Sequence, residues 1–113
     1  MTSKRQPRRR SLSPAKLDEM IEEATVDAYG ESEQTAGFFT LLEDRLELPF
    51  KTEVLGVEVI VERLDITDDQ QIVAVCSRGK SQQRVSILDL NLPDPPPEGA
   101  EWIEAFRRWA RGR

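Results

Sequence analysis

Histidine is absent from this chain of 113 residues, and cysteine occurs once, as Cys76. The absence of histidine excludes Ser-His and Cys-His catalysis and every histidine-based metal site. A single cysteine cannot form an internal disulfide, so nothing indicates an oxidising compartment. Any bound metal ion would have oxygen ligands. There is also no glycine-rich phosphate loop and no nucleophile elbow, and we therefore predict that the protein is not an enzyme.

Long apolar runs are also lacking. No stretch of 18 or more apolar residues is present, and the basic N-terminus has no apolar segment of the secretory kind. We therefore predict a cytoplasmic protein without membrane contact. The length and the net charge of -5 fit one small domain, which we expect to be a monomer. Residues 1–12 are predicted to be a disordered basic tail, and residues 13–113 a single folded domain.

Acidic residues are concentrated in the middle of the chain. Between Asp18 and Asp69 there are sixteen carboxylates and three cations, whereas basic residues gather at the two ends. A dense carboxylate field over a folded region raises the local cation concentration, and oxygen-rich clusters suit hard ions such as Ca²⁺. The alternative for each acid is a solvated surface position, which is what charge runs usually indicate.

The N-terminal half carries two helical patterns. Ser13 and Pro14 are typical of an N-cap and a first helical position, and apolar residues continue at helical spacing to Ala28. Gly30 fits the position just past the end of this first helix. A second helix is predicted from near Ser32, before Pro49 ends the pattern.

Strand patterns follow from Leu48 to Leu88. Alternation around Val57–Glu62 and an apolar run at Ile72–Cys76, separated by tight turns, predict four short antiparallel strands. A helix predicted over Glu98–Ala110 closes the chain. The fold class is therefore α+β, with two N-terminal helices, a small antiparallel sheet of SH3-like, barrel-like form and a C-terminal helix.

The segment that begins at Asp65 has some features of a calcium loop. Asp65, Thr67 and Asp69 place oxygen atoms at its first, third and fifth positions. However, Gln70 stands where an EF-hand has glycine, and Cys76 stands where it has a bidentate acid. The segment is therefore not an EF-hand, and a calcium site would collect oxygens from separate segments.

Three further segments could contribute. Tyr29–Glu33 is an acidic corner between helices, and Glu43 lies near the end of the second helix, where acids oppose the helix dipole unless a cation offsets them. Asp89 lies in an apolar stretch, where it either caps backbone donors or binds an ion. The predicted metal ligands are the following acids: Asp27, Glu31, Glu33, Glu43, Asp65, Asp69 and Asp89.

Several runs resemble a known family. They are Val26–Gln34, Leu48–Phe50, Thr52–Val57, Ile72–Gly79, Ile87–Leu90 and Pro95–Trp109. These runs resemble the small bacterial calcium-binding proteins of the cyanobacterial CcbP type, over about Thr25 to Trp109. The resemblance implies reversible Ca²⁺ binding at non-EF-hand sites made of acidic side chains and main-chain carbonyls, in a cytoplasmic calcium buffer or sensor.

A second interpretation belongs to a different class. The chain could be a small protein-interaction module, in which the acidic face and basic tails dock an unidentified protein partner independently of calcium. Contact with nucleic acid through Arg8, Arg9, Arg10 and the terminal arginines is opposed by the acidic middle and is not expected.

Overall fold

The computed structural model describes residues 12–112, which form three helices and four strands. In chain order they are α1 (Pro14–Thr25), α2 (Glu31–Arg45), β1 (Phe50–Val54), β2 (Val57–Ile66), β3 (Ile72–Arg78), β4 (Ser81–Ser86) and α3 (Glu101–Gly112). This order confirms the α+β prediction of two helices, an antiparallel sheet and a final helix. The predicted tail, residues 1–12, lies outside the described residues except for Leu12, which packs at the margin of the core.

The sheet is an antiparallel meander in the order β1-β2-β3-β4. Two-residue loops join β1 to β2 and β3 to β4 at one end of the sheet, and residues 67–71 join β2 to β3 at the other. The pairing shifts between Val61 and Arg63, so Glu62 is an extra residue in β2. This bulge lets both Val61 and Leu64 remain on the buried face.

The core lies between the three helices and one face of the sheet. Phe38 of α2 is at its centre with no exposed surface. The Phe38 ring lies 5.3 Å from the rings of both Phe106 and Trp109, measured between centroids. Burial of such side chains stabilises the fold by roughly 1.5 to 3 kcal/mol each, so α3 is anchored chiefly through its aromatic face.

The first helix begins as predicted but ends earlier. The Ser13 hydroxyl oxygen accepts a hydrogen bond from the Lys16 N–H at 3.1 Å, and Pro14 occupies the first turn. The helix ends at Thr25, and Asp27 takes a left-handed conformation with φ 62. Gly30, predicted to follow the end of this helix, is instead the N-cap of α2.

The segment between β4 and α3 is held to the rest of the molecule by hydrogen bonds to its backbone groups. The Glu47 N–H donates to the Glu98 carbonyl at 2.8 Å, and the Glu98 N–H donates to Glu47 Oε1 at 3.1 Å. Arg107 donates to the carbonyls of Ile87 and Leu90, and burial lowers the pKa of its guanidinium.

Within residues 12–112, no helix has the length and apolarity to cross a membrane.

The same segment also covers the outer edge of β1. The Thr52 hydroxyl donates to the Asn91 carbonyl at 2.6 Å, and the Asn91 side-chain amide donates to the Glu53 carbonyl at 2.9 Å. Asn91 therefore occupies part of the backbone edge that β1 would otherwise present to solvent.

An ion pair joins the two ends of the described chain. Arg108 of α3 donates to Asp18 of α1 through Nε at 2.8 Å and through Nη2 at 3.4 Å. The hydrogen bond from Arg108 holds the pKa of Asp18 below its ordinary value of 3.8. Because the pKa is lower in the folded state, the stabilisation is present above the ordinary pKa and is lost as the pH falls through the lower folded value.

The lowered pKa of Asp18 gives a pH-dependent prediction. Replacing Arg108 by glutamine should lower the melting temperature slightly at neutral pH, by about one degree for an exposed pair, and this difference should disappear in acid, once the pH has fallen below the lowered pKa of Asp18. Melting curves of R108Q and wild type, followed by circular dichroism from acid to neutral pH, measure the difference. R111Q is the matched control. A difference between R108Q and wild type that persists unchanged in acid would contradict the prediction.

Candidate metal centre

Two acidic segments from different parts of the chain meet near the N-terminus of α2. We call them the corner, residues 26–33, and the turn, residues 65–71. The Ser32 hydroxyl in the corner donates to Gln70 Oε1 in the turn at 3.2 Å, across 38 positions of sequence. The two segments together contain five of the seven predicted ligands: Asp27, Glu31, Glu33, Asp65 and Asp69.

The corner is shaped by its own hydrogen bonds. Glu33, at the third helical position, accepts from the Tyr29 N–H at 2.8 Å through Oε1, which resembles one half of a capping box shifted to the residue before the N-cap Gly30. Glu31 and Glu33 lie in the first turn of α2, where the helix dipole favours negative charge. Asp27 occupies a left-handed position, which aspartate tolerates better than most residues. The corner therefore presents carboxylates from a fixed backbone.

The turn is closed in a similar way. The Thr67 N–H donates to the Gln71 carbonyl at 2.9 Å, and the Gln71 N–H donates back to Thr67 Oγ1 at 3.0 Å. Thr67 Oγ1 in turn donates to Asp69 Oδ1. Gln70 has φ 66, a left-handed conformation that glycine adopts more readily than other residues. The bend therefore forms without glycine, and its carboxylates, Asp68 and Asp69, are exposed.

Asp65 has partners for both of its carboxylate oxygens. Oδ1 accepts from the Ile66 N–H at 2.9 Å, and Oδ2 accepts from Arg84 at 2.9 Å. The Ile66 hydrogen bond, followed by that from Arg84, holds the pKa of Asp65 below its ordinary value. Asp65 is thus ionised over the physiological range, but it would have to exchange Arg84 for a metal ion.

The other two predicted ligands lie elsewhere. Glu43 follows Glu31 by twelve residues along α2, which corresponds to about 18 Å of helix rise. Asp89 is exposed in the turn after β4, where its charge offsets part of the lowering of the Arg107 pKa that burial causes. Neither residue is part of the corner or the turn.

The acids at the end of α2 already have a cation. Arg45, in the last turn of the helix, pairs with Asp44 at 3.3 Å and with Glu23 of α1 at 3.4 Å. Its guanidinium also lies 5.5 Å from the centre of the Trp102 ring. A bound metal ion is not needed to offset the helix dipole here.

Side-chain convergence is limited throughout the described part of the chain. Between residues 12 and 112, no three acidic or cysteine side chains come together as a group that could hold a metal ion. Ca²⁺ takes six to eight oxygen ligands, and carbonyls, hydroxyls, amide oxygens and water serve as well as carboxylates. The corner and the turn supply several such oxygens, including those of Ser32 and Gln70. The ligands predicted from the sequence did not include Ser32, Asp68 or Gln70. Of these three residues, only Asp68 is an acid, which is the property that guided the prediction.

Comparison with protein families decides the class of ion. A family model of the CcbP type, described as calcium binding, matches residues 18–110. The chain belongs to this calcium-binding family. The matched residues include the corner, the turn and all seven predicted ligands, and the CcbP-type family identifies Ca²⁺ as the bound ion. No curated protein and no solved structure gave a significant match.

Proposed function

We propose that the protein binds Ca²⁺ reversibly at a non-EF-hand site formed by the corner and the turn, and that it acts as a non-catalytic, cytoplasmic calcium buffer or sensor. The observation that carries this proposal is the Ser32–Gln70 hydrogen bond, because it brings together two acidic segments that are distant in sequence. Membership of the CcbP-type family supports the choice of ion.

The chemistry of the two segments suits a hard cation. Carboxylates of Asp27, Glu31 and Asp69 would be the charged ligands, and the corner carbonyls, Gln70 Oε1 and water would complete the shell. Binding of Ca²⁺ would reduce repulsion between carboxylates of the two segments. The gain is Coulombic and exposed to solvent, so affinity should fall as the salt concentration rises. Dissociation constants of calcium sensors lie at roughly 10⁻⁷ to 10⁻⁵ M.

The existing contacts assign different roles to the remaining acids. Glu33 supports the corner through Tyr29, and Asp65 is held by Arg84. Glu33 and Asp65 would join the shell in exchange for these partners, as Asp69 would for the Thr67 hydroxyl. Glu43 and Asp89, on other surfaces, would at most belong to separate and weaker sites.

Calorimetric titration of the chelator-treated full chain with Ca²⁺ tests the proposal. We expect saturable micromolar binding that Mg²⁺ does not match, because Mg²⁺ demands a tighter octahedral shell. D27N and D69N should each weaken Ca²⁺ binding by about tenfold, since each removes a charged ligand. E22Q, which removes an exposed charge from α1, is the matched control and should change the affinity less than about twofold.

Other outcomes would redirect the assignment. Loss of binding in E43Q, with D27N and D69N unaffected, would move the site to the end of α2. Weak heat that is equal for both ions and abolished by salt would contradict calcium binding and favour the interaction-module interpretation. Near-ultraviolet circular dichroism with and without Ca²⁺ separates the two roles, because a sensor changes its tertiary packing and a buffer does not.

A further inference from the structure

The two outer strands of the sheet differ in how their free edges are covered. In an antiparallel ladder, alternate residues of an edge strand point their backbone N–H and C=O groups away from the neighbouring strand. In β1 these outward residues are Lys51 and Glu53, because Val54 forms the hydrogen-bonded pair that closes the hairpin. The Glu53 carbonyl accepts from the Asn91 side chain, and lysine at an edge discourages pairing. The β1 edge is therefore protected from within the chain.

The outer edge of β4 is open. The Ile87 N–H donates to the Ile72 carbonyl at 2.9 Å, and this bond continues the β3–β4 ladder. Since the bonding residues alternate along a strand, Gln82 and Arg84 point their backbone N–H and C=O groups away from β3. Within residues 12–112, no hydrogen bond reaches these outward groups from another part of the chain. Residues 81–84 are also exposed, so the edge is accessible.

The β4 strand also lacks the features that usually keep an edge strand from pairing. It contains no proline and no lysine, and its six residues pair with β3 in unbroken register, without a bulge. Its one charged side chain, Arg84, is paired with Asp65 at 2.9 Å. A regular edge strand of this kind is a template on which another strand can form main-chain hydrogen bonds.

We propose that two copies of the chain associate through their β4 strands, which pair antiparallel about a two-fold axis and join the two sheets into one. In one symmetric register, Gln82 of each copy lies opposite Arg84 of the other, and both pairs exchange N–H···O bonds. Sliding one strand by two residues places Arg84 opposite Arg84 of the second copy in one direction and opposite its Lys80 in the other. Like charges directly opposite destabilise strand pairing, so the first register is favoured.

Side chains also match in this register. Gln83 lies on the axis, opposite Gln83 of the second copy, with the two β-carbons about 5 Å apart. Amide side chains both donate and accept, so these two glutamines can bond to each other. The half-buried Val85 lies opposite Ser81 of the second copy and is further covered by it. A peptide of unrelated sequence would find the main-chain partners but not this matched set, so a second copy is the occupant that fits.

The expected dimer is weak and independent of the calcium site. One pair of short strands lies at the lower end of interface sizes, so association should depend on concentration. The pairing takes place through main-chain groups of β4, which belongs to neither the corner nor the turn. Dimerisation therefore goes beyond the proposed calcium function and does not rest on it. It would restrict the monomer expected from the sequence to low protein concentration.

Replacing Gln82 by proline is the first test, with sedimentation equilibrium of the full chain as the measurement. Proline removes an outward N–H and leaves the β3–β4 ladder bonds in place, so the fold should be retained. We expect the wild type to pass from monomer to dimer as its concentration rises and Q82P to remain a monomer. Q82A, which keeps the backbone N–H, is the matched control and should dimerise less than about tenfold more weakly than the wild type.

The residue on the axis gives a second test, which needs no change to the backbone. Q83K places two lysines opposite each other and Q83E places two glutamates, so each variant alone should be a monomer. An equal mixture of Q83K and Q83E should form a heterodimer, because a lysine then lies opposite a glutamate. Only a register centred on Gln83 produces this result. The Gln83 side chain is exposed, so neither substitution should prevent folding.

Three results would overturn the proposal. The first is a wild type that stays monomeric up to about millimolar concentration, where even weak association is populated. The second is a folded Q82P variant that dimerises as Q82A does. The third is a mixture of Q83K and Q83E that remains monomeric.

Discussion

Replacing Phe38 by alanine should lower the free energy of unfolding by about 3 to 5 kcal/mol, a large part of the stability of a domain this size. Phe38 has no exposed surface, and its ring contacts Phe106 and Trp109 of α3. The substitution removes apolar burial and leaves a cavity where α2 meets α3. Urea denaturation followed by tryptophan fluorescence measures the loss.

Phe39 is the matched control for this substitution. It is adjacent in sequence and is the same residue type, but it packs only at the margin of the core. F39A should therefore cost clearly less, about 1 to 2 kcal/mol. If F38A does not fold, F38L provides the comparison, with a loss of about 1.5 kcal/mol or less. Equal losses for F38A and F39A would contradict the central position of Phe38.

Replacing Gly99 by alanine should cost about 4 kcal/mol. Gly99 has φ 89, which costs an L-residue about 1 to 2 kcal/mol. A β-carbon at this position would also lie 2.1 Å from the Arg45 carbonyl oxygen, so the backbones of two segments would have to separate. Such overpacking adds about 1 to 3 kcal/mol. Urea denaturation of the purified variant measures the total.

A substitution at Gly56 measures the conformational cost without the overpacking cost. This residue also has a positive φ, 79, but a β-carbon there would have no atom within 4 Å. G56A should therefore carry only the conformational cost of about 1 to 2 kcal/mol. A G99A variant no less stable than G56A would show that the approach of Gly99 to Arg45 can relax freely.

Local sequence patterns were sufficient to predict the kinds of element and their order. The apolar spacing before Ala28 and the alternation around Val57 correctly separated helices from strands. Helix ends were predicted less well because glycine serves more than one purpose. Gly30 caps the start of α2 instead of following the end of α1. The final helix begins at Glu101, not Glu98, because Gly99 makes its close approach to Arg45 just before it.

The candidate site could be predicted only in part, and for a physical reason. Charge density identified acidic segments, but carboxylates at the end of α2 are balanced by Arg45, which sequence spacing did not reveal. The contact between Ser32 and Gln70 follows from how α2 packs against the sheet, and no local periodicity connects residues 38 positions apart. Whether the seven predicted acids bind Ca²⁺ stays a prediction.

Asn91, which covers part of the edge of β1, affects the tendency of the protein to aggregate at high concentration. An uncovered edge strand can recruit the strand of another molecule and so begin the growth of an aggregate. Hydrogen bonds from Thr52 to Asn91 and from Asn91 to Glu53 occupy that edge from within the same chain. A second molecule could pair with β1 only after these two hydrogen bonds had broken, so growth of an aggregate from this edge first requires a local opening of the chain.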